Sequence, residues 1–308
     1  MSTPTMTVAF LNTGQGDSTA IILPDHTNAL VVDCCRDSVM VDYLEQNRIK
    51  SLKQVFLTHT DMDHISGILG VLENFSTVDT ILYNHDFVKF VEDKPRIKSI
   101  LRQLAALQRQ HGWTFQFPHT GQTWIFQDVG VEVLHPAEED KRDADFGGDG
   151  NNVSVVLRIT FAGSRVLLTG DIAGQGWQWL MERKTDLKSD VLKFPHHGAW
   201  YIPESGQPSL DKAIEKVAPD LVVISVGTNN SYNHPGTKTF HLLSKSKLRL
   251  VCTQATYQCH AALVRKRESQ TCAGTVEVKI SKDGREVFPD SKTHEGTIRR
   301  FSSPKCRK

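Results

Sequence analysis

What most restricts the fold of this chain is a repeated pairing: a short β-branched run followed at once by histidine and acidic residues. "QVFLT" (54–58) leads into His59-Thr60-Asp61-Met62-Asp63-His64, and "RVLLT" (165–169) into Gly170-Asp171. "DVLKF" (190–194) leads into Pro195-His196-His197-Gly198, and "LVVISV" (221–226) into a loop that reaches His234. Runs of this kind between turn-forming residues read as strands. Active sites of α/β scaffolds gather on loops at strand ends, so four distant segments can converge on one spot. A first-row metal needs imidazole and carboxylate groups held in that way, and two adjacent ions need a bridging carboxylate as well.

Further strand-like runs lie at 7–11, 18–23, 29–33, 80–83, 123–126, 131–134 and 153–160. Between them fall two amphipathic helices. Residues 95–110 open on Pro95, carry Ile97, Ile100, Leu101, Leu104 and Leu107 on one side, and meet the stop signal Gly112. Residues 209–217 repeat the pattern with Leu210, Ile214 and Val217. Early β-hairpins followed by β-α units predict two sheets with helices outside rather than one doubly wound sheet. The weakest joint is 136–152, charged and then glycine-rich, which reads as an exposed loop.

With 308 residues the chain can build a substantial core. Its 36 Lys and Arg balance 35 Asp and Glu, so attraction to a polyanion must come from local clustering. One cluster is the last ten residues, "RRFSSPKCRK", with no acidic group. We expect a globular domain over 1–282 and a flexible basic tail over 283–308. The first residues lack a secretory pattern and no run approaches the roughly eighteen apolar residues of a membrane span, so the expectation is a soluble, cytoplasmic protein with reduced thiols. Cys34 and Cys35 read as small buried residues. Cys252, Cys259, His260 and Cys272 could form a zinc site, but they lack the tight Cys-x-x-Cys turn, and strand cysteines in a core are the better reading.

Each strand end has a plainer reading: Asp61 or Asp63 as a helix cap, "TGD" as a turn, the "HHG" histidines as surface groups. The joint order is harder to dismiss. "FLNTGQGDSTAIIL", "LVVDCC", "HTDMDH", "NNVSVVL", "LLTGD", "DVLKFPHHG" and "ISVGTNNSYNHP" resemble the metallo-β-lactamase superfamily, specifically the hydrolase domain of ComEC-type DNA-uptake proteins, from about residue 7 to about residue 280. That resemblance implies an αββα sandwich of two mixed sheets with helices outside, and one or two metal ions at the sheet edge. Carried over by position, His59 and Asp61 would hold the first ion, Asp63 and His64 the second, and Asp171 would bridge. His196 is favoured over His197 to close the second site.

Asp61 stands where the motif has a second histidine, and Asn151 and Asn152 stand where a further histidine is common. Oxygen for imidazole makes a site harder, moving preference from zinc toward Mn²⁺, with Mg²⁺ also compatible; zinc stays a candidate because the affinity order favours it where it is available. The implied reaction is hydrolysis of a phosphodiester in nucleic acid, DNA in preference to RNA, in DNA processing or defence, with protein partners besides. Asp63 would orient the attacking water, and His234 would contact a phosphoryl oxygen or protonate the leaving group. Lys193, Asn229 and Asn230 are candidate substrate contacts. Two alternatives stand beside this: hydrolysis of a small ester, lactone or nucleotide-like phosphodiester, and a non-catalytic module that binds DNA or protein.

Overall fold

The computed structural model describes residues 3–75, 77–83, 94–140, 150–245, 248–259 and 269–301. One sheet takes β1 (Met6–Phe10), β2 (Ser18–Ile22), β3 (Asn28–Cys34), β4 (Ser51–Phe56), β5 (Val78–Leu82) and β6 (Thr114–Gln116). The other takes β7 (Thr123–Phe126), β8 (Val129–His135), β9 (Val156–Phe161), β10 (Ser164–Leu168), β11 (Val191–Lys193), β12 (Leu221–Ile224) and β13 (Arg249–Cys252). β14 (Val276–Ser281) and β15 (Gly284–Phe288) return to the first sheet beside β1, giving the order β15-β14-β1-β2-β3-β4-β5-β6. Both sheets are mixed: β3 to β6 run parallel in one, β10 to β13 in the other, and the remaining neighbours are antiparallel.

The pleat sorts alternate residues to opposite faces, and that alternation builds three apolar layers. Val8 and Phe10 of β1 join Phe56, Leu157, Val166, Leu168 and Val223 between the sheets. Ala9 and Val55 face outward to meet α1 (Asp37–Gln46), α3 (Ile68–Asn74), which follows the single-turn α2 (Met62–Ile65), and α4 (Pro95–His111) through Met40, Leu44, Ile68, Leu72 and Leu104. Leu167, Leu192 and Val222 do the same on the second sheet, covered by α5 (Gly174–Glu182), α6 (Leu210–Val217) and α7 (Thr237–Lys245) through Trp177, Leu180, Ile214 and Phe240. This is the expected αββα sandwich. The two helices read from periodicity are α4 and α6. α4 stops at Gly112, whose φ of 71° is the left-handed value that favours glycine.

Two expectations are corrected. Residues 153–160 are not one strand: a 3₁₀ turn covers Gly150–Val153 and β9 begins at Val156, which frees the Ser154 hydroxyl to accept the Asp171 N–H at 3.2 Å. Nor is 283–308 a tail throughout. β15 pairs with β14, and α8 (Ser291–Ile298) follows, capped by the Asp290 carboxylate accepting the Thr293 N–H at 2.7 Å, with His294 and Ile298 buried. The basic residues Lys305, Arg307 and Lys308 lie outside the described residues. Among the described residues no helix is long and apolar enough to cross a membrane.

Candidate metal centre

Parallel strands of the two sheets bring their C-terminal ends to one edge, stitched together by the Val155 N–H donating to the Thr58 carbonyl at 2.9 Å. There His59, His64 and Asp171 form one group of potential ligands, and Asp63, His64 and His197 a second. Asp171 lies between them. Its carboxylate is 3.2 Å from His64 Nε2 and 3.8 Å from the Nε2 atoms of His59, His196 and His197. Glycine makes the approach possible: a Cβ on Gly170 (φ +51°) would meet Ser154 and Thr58 side chains at 2.9 and 3.0 Å. A Cβ on Gly16 would meet the Asp63 carbonyl at 2.6 Å.

Asp33 organises the cluster from beneath, a role not foreseen from the sequence. It is the penultimate residue of β3, with a φ of 57°, a conformation held by surrounding structure. Its carboxylate accepts the Thr58 N–H at 2.7 Å, the Thr58 hydroxyl at 2.6 Å and His64 Nδ1 at 2.7 Å. With its proton committed to Asp33, the Thr58 oxygen is left to accept from His59 Nδ1 at 3.1 Å. His197 Nδ1 donates to the Ser225 carbonyl at 3.0 Å. All three imidazoles are thus held at Nδ1 and turn Nε2 toward Asp171, the arrangement by which outer partners orient metal-binding histidines.

Those Nε2 atoms, and Asp171 Oδ1, are buried and make no well-aligned hydrogen bond, although His64 Nε2 lies 3.2 Å from Asp171 Oδ1 and His197 Nε2 3.2 Å from Asp63. Buried polar atoms without such a bond are costly, and four converging in one place fit a cation. The electrostatics agree. Burial opposes ionisation of Asp171, yet His64 and His197 hold its carboxyl well below the usual range; burial likewise opposes charging of His64 and His197, but nearby carboxylates, Asp171 foremost, raise both. Burial and the neighbouring His64 push His59 down. The Asp63 carboxyl is also lowered, against its burial, by His197 at 3.2 Å and by His64. In this arrangement imidazolium protons balance the carboxylates, and a divalent ion would take over that balance as the protons leave. The donor set fits a divalent metal.

The structure separates the remaining candidates. His197 is buried among the converging donors, whereas His196, favoured from sequence, is 34% exposed at the rim while still 3.8 Å from Asp171. Both residues take left-handed φ values, 50° and 52°, and their ring planes stand 74° apart. Asp61 is 37% exposed; one oxygen lies 4.0 Å from His59 Nε2 and the other 2.6 Å from Lys94 Nζ. Asn152 is turned away, its amide oxygen accepting the Gly176 N–H of α5 at 3.1 Å, so it does not replace the missing histidine. Asn151 shares its turn, giving its carbonyl to the Ser154 N–H. Asn152 thus adds nothing to the argument for a harder site, which Asp61 still carries.

Lys193 is not presented to a substrate. It is buried in an ion pair with Asp17 and also donates to the Phe194 carbonyl at 3.2 Å, as a buried ammonium requires. Asn230 is equally committed: its amide bonds the Gly227 carbonyl and both the N–H and carbonyl of His234 at 2.7 to 2.9 Å. Asn229 lines an open cavity beside that loop. His234 stands over the cluster, its ring 5.6 Å from that of His196 and 6.5 Å from that of His197. Burial and these two histidines depress it to about 4, so at neutral pH it is an uncharged imidazole rather than a proton-loaded acid. Cys252, Cys259 and Cys272 sit in the outer apolar layer of the second sheet, and Cys272 Sγ is 3.3 Å from His294 Nε2; His260 lies outside the described residues. Cys34 is buried as expected, but Cys35 is only half-buried.

A family model described as Metallo-beta-lactamase superfamily matches residues 11–205. Among curated relatives, ComE operon protein 3 of Bacillus subtilis is 27% identical over 80% of this chain, and Recombination protein 2 of Haemophilus influenzae is 26% identical over 80%. The aligned regions span only 31% and 27% of those relatives. Among solved structures, the metallo-beta-lactamase fold protein YhfI from Bacillus subtilis aligns at 13% identity over 80% of this chain and 96% of its own, with a TM-score of 0.49. Since the family model covers more than half of its length, the chain belongs to the metallo-beta-lactamase superfamily.

Proposed function

We propose that the chain hydrolyses phosphodiester bonds in nucleic acid, DNA in preference to RNA, with one or two Mn²⁺ or Zn²⁺ ions. The observation that carries this reading is the set of buried, converging Nε2 atoms of His59, His64 and His197 around Asp171. Support for nucleic acid comes from the Haemophilus influenzae relative, whose name refers to recombination. His59, Asp61 and Asp171 would hold one ion, and Asp63, His64, His197 and Asp171 the other. When bound, such ions supply Lewis acidity, lower the pKa of water and neutralise charge on phosphoryl oxygens.

The chain's own residues do the rest. Asp63 stays ionised and half-exposed, so it can accept a hydrogen bond from the attacking water and fix its direction. Neutral His234 can share a hydrogen bond with a phosphoryl oxygen but has no spare proton for the leaving group at neutral pH. Lys94, 48% exposed and anchored by Asp61, offers the cation that Lys193 cannot. Linear and circular DNA, RNA and small esters incubated with purified protein, with and without added Mn²⁺ or Zn²⁺, test the proposal. Metal-dependent cleavage of DNA that disappears in Asp63→Ala is the expected result. Cleavage of small esters alone would transfer the reading to a small substrate, and absence of bound metal with no hydrolysis would leave a binding module.

A further inference from the structure

The loop between β12 and α7 reads "GTNNSYNHP" (227–235), and its tyrosine is exposed. Tyr232 is 69% exposed, although it sits among polar residues on a loop that Asn230 closes with three hydrogen bonds. A single exposed aromatic needs no explanation. Two further observations distinguish this one. One face of its ring is stacked on His234, with centroids 5.6 Å apart and planes 27° apart. His234 in turn borders His196 and His197, so Tyr232 stands at the mouth of the metal centre, two ring contacts from Asp171. On the same loop opens a cavity of about 290 Å³ lined by Thr228, Asn229, Asn230, Ser231, Asn233 and Tyr257. The Thr228, Asn230 and Tyr257 groups are already hydrogen-bonded, and Ser231 and Asn233, which flank Tyr232 in the chain, bring the hydroxyl and amide that suit a polar, planar edge.

A held aromatic platform with polar groups at its rim is the arrangement that receives an unpaired base: the π-face stacks, and the exocyclic groups meet hydrogen-bonding side chains. We propose that Tyr232 and the adjoining cavity form a subsite for one unpaired nucleobase neighbouring the scissile phosphate, so that the preferred substrate is single-stranded or has a frayed end. The inference rests on the nucleic-acid reading above and deepens it. A duplex keeps its bases stacked on each other and offers none to the platform without first unpairing one.

The test compares wild type, Tyr232→Ala and Tyr232→Trp on three substrates: a single-stranded oligonucleotide, its duplex, and a single strand of equal length built from abasic sites. Wild type is expected to cleave the single strand with a lower KM than either other substrate. In Tyr232→Ala the KM for the single strand rises about tenfold, the scale of one lost base-aromatic stack, so the advantage over the abasic strand collapses. Tyr232→Trp restores it, which a merely structural role for the phenol ring would not produce. Equal losses on normal and abasic strands, or an unchanged KM in Tyr232→Ala, overturn the subsite while leaving the nuclease reading intact. A wild type that cleaves no nucleic acid overturns that reading, and the subsite with it.

Discussion

Two buried clusters of histidine and aspartate lie on either side of the turn at Gly150–Val153, and they differ in how far their polar atoms are paired. Beneath the turn, His135 donates from Nε2 to the Asn152 carbonyl at 2.7 Å and its Nδ1 lies 3.1 Å from both Arg183 Nη2 and Asp140, while Asp140 also binds Arg183 at 2.7 Å and the Ala137 N–H at 2.8 Å. Both His135 nitrogens and both Asp140 oxygens are satisfied. Above the turn, His59, His64 and His197 each turn one nitrogen toward Asp171 without a well-aligned hydrogen bond, making only contacts of 3.2 Å or more to carboxylates. The same residue types make structure where they are saturated and a site where they are not, because only an unpaired donor can take a new partner.

Substitutions can break that contrast. Asp171→Asn should abolish metal retention and lower hydrolysis on the order of a thousandfold or more, as loss of a central catalytic group does, read by elemental analysis and by turnover. Asp140→Ala should do the opposite, keeping bound metal while lowering stability by about 3 kcal/mol, toward the lower end for a broken buried pair because Arg183 is partly exposed. That cost has a direction in pH. Burial alone would raise the Asp140 carboxyl, but His135 and Arg183 hold it below its usual value, so its contribution is complete at neutral pH and fades as pH falls through the acid range. Urea titrations of wild type and variant should therefore converge on acidification. A gap that widened instead would mean that the pair is not what Asp140 supplies.

Smaller effects sharpen the comparison within the site. Asp33→Asn leaves His64 in place but weakens its orienting bond, and metal affinity measured by calorimetry should fall about 10- to 100-fold. Lys94→Met should raise KM for an anionic substrate by a factor of a few and flatten its salt dependence, with metal affinity little changed. If metal affinity rose sharply instead, Lys94 would be a competitor for Asp61 rather than a substrate contact.

The sequence carried the architecture because its period-two strands and the helices at 95–111 and 210–217 obey local rules: alternation, Pro95 at a helix start, Gly112 at a helix end. Ligands on adjacent residues, as in "HTDMDH", were visible for the same reason. What stayed hidden is what only tertiary contact decides. His196 and His197 are indistinguishable as letters and are separated by how far the fold buries each. Lys193 looks available until Asp17 is found 176 positions away, and Lys94 reaches Asp61 from the start of a helix packed on the outer face. Asp33 did leave a trace, an acidic residue ending the apolar run "LVVDCC". The residues after 282 were misread because basic composition outweighed the alternating "REVF" pattern of β15.

Asp33, His59 and His64 come from the first sheet, while Asp171 and His197 come from the second, so a bound ion would act as a clasp between two halves of the chain. A clasp that forms only in the folded state lowers the free energy of that state in proportion to its occupancy, and removing it should loosen both halves at once rather than the rim alone. Chelation would then read out as faster amide exchange in β4 and β10 together. In such a molecule the ion would serve as the final fastening of the fold as well as the centre of its chemistry.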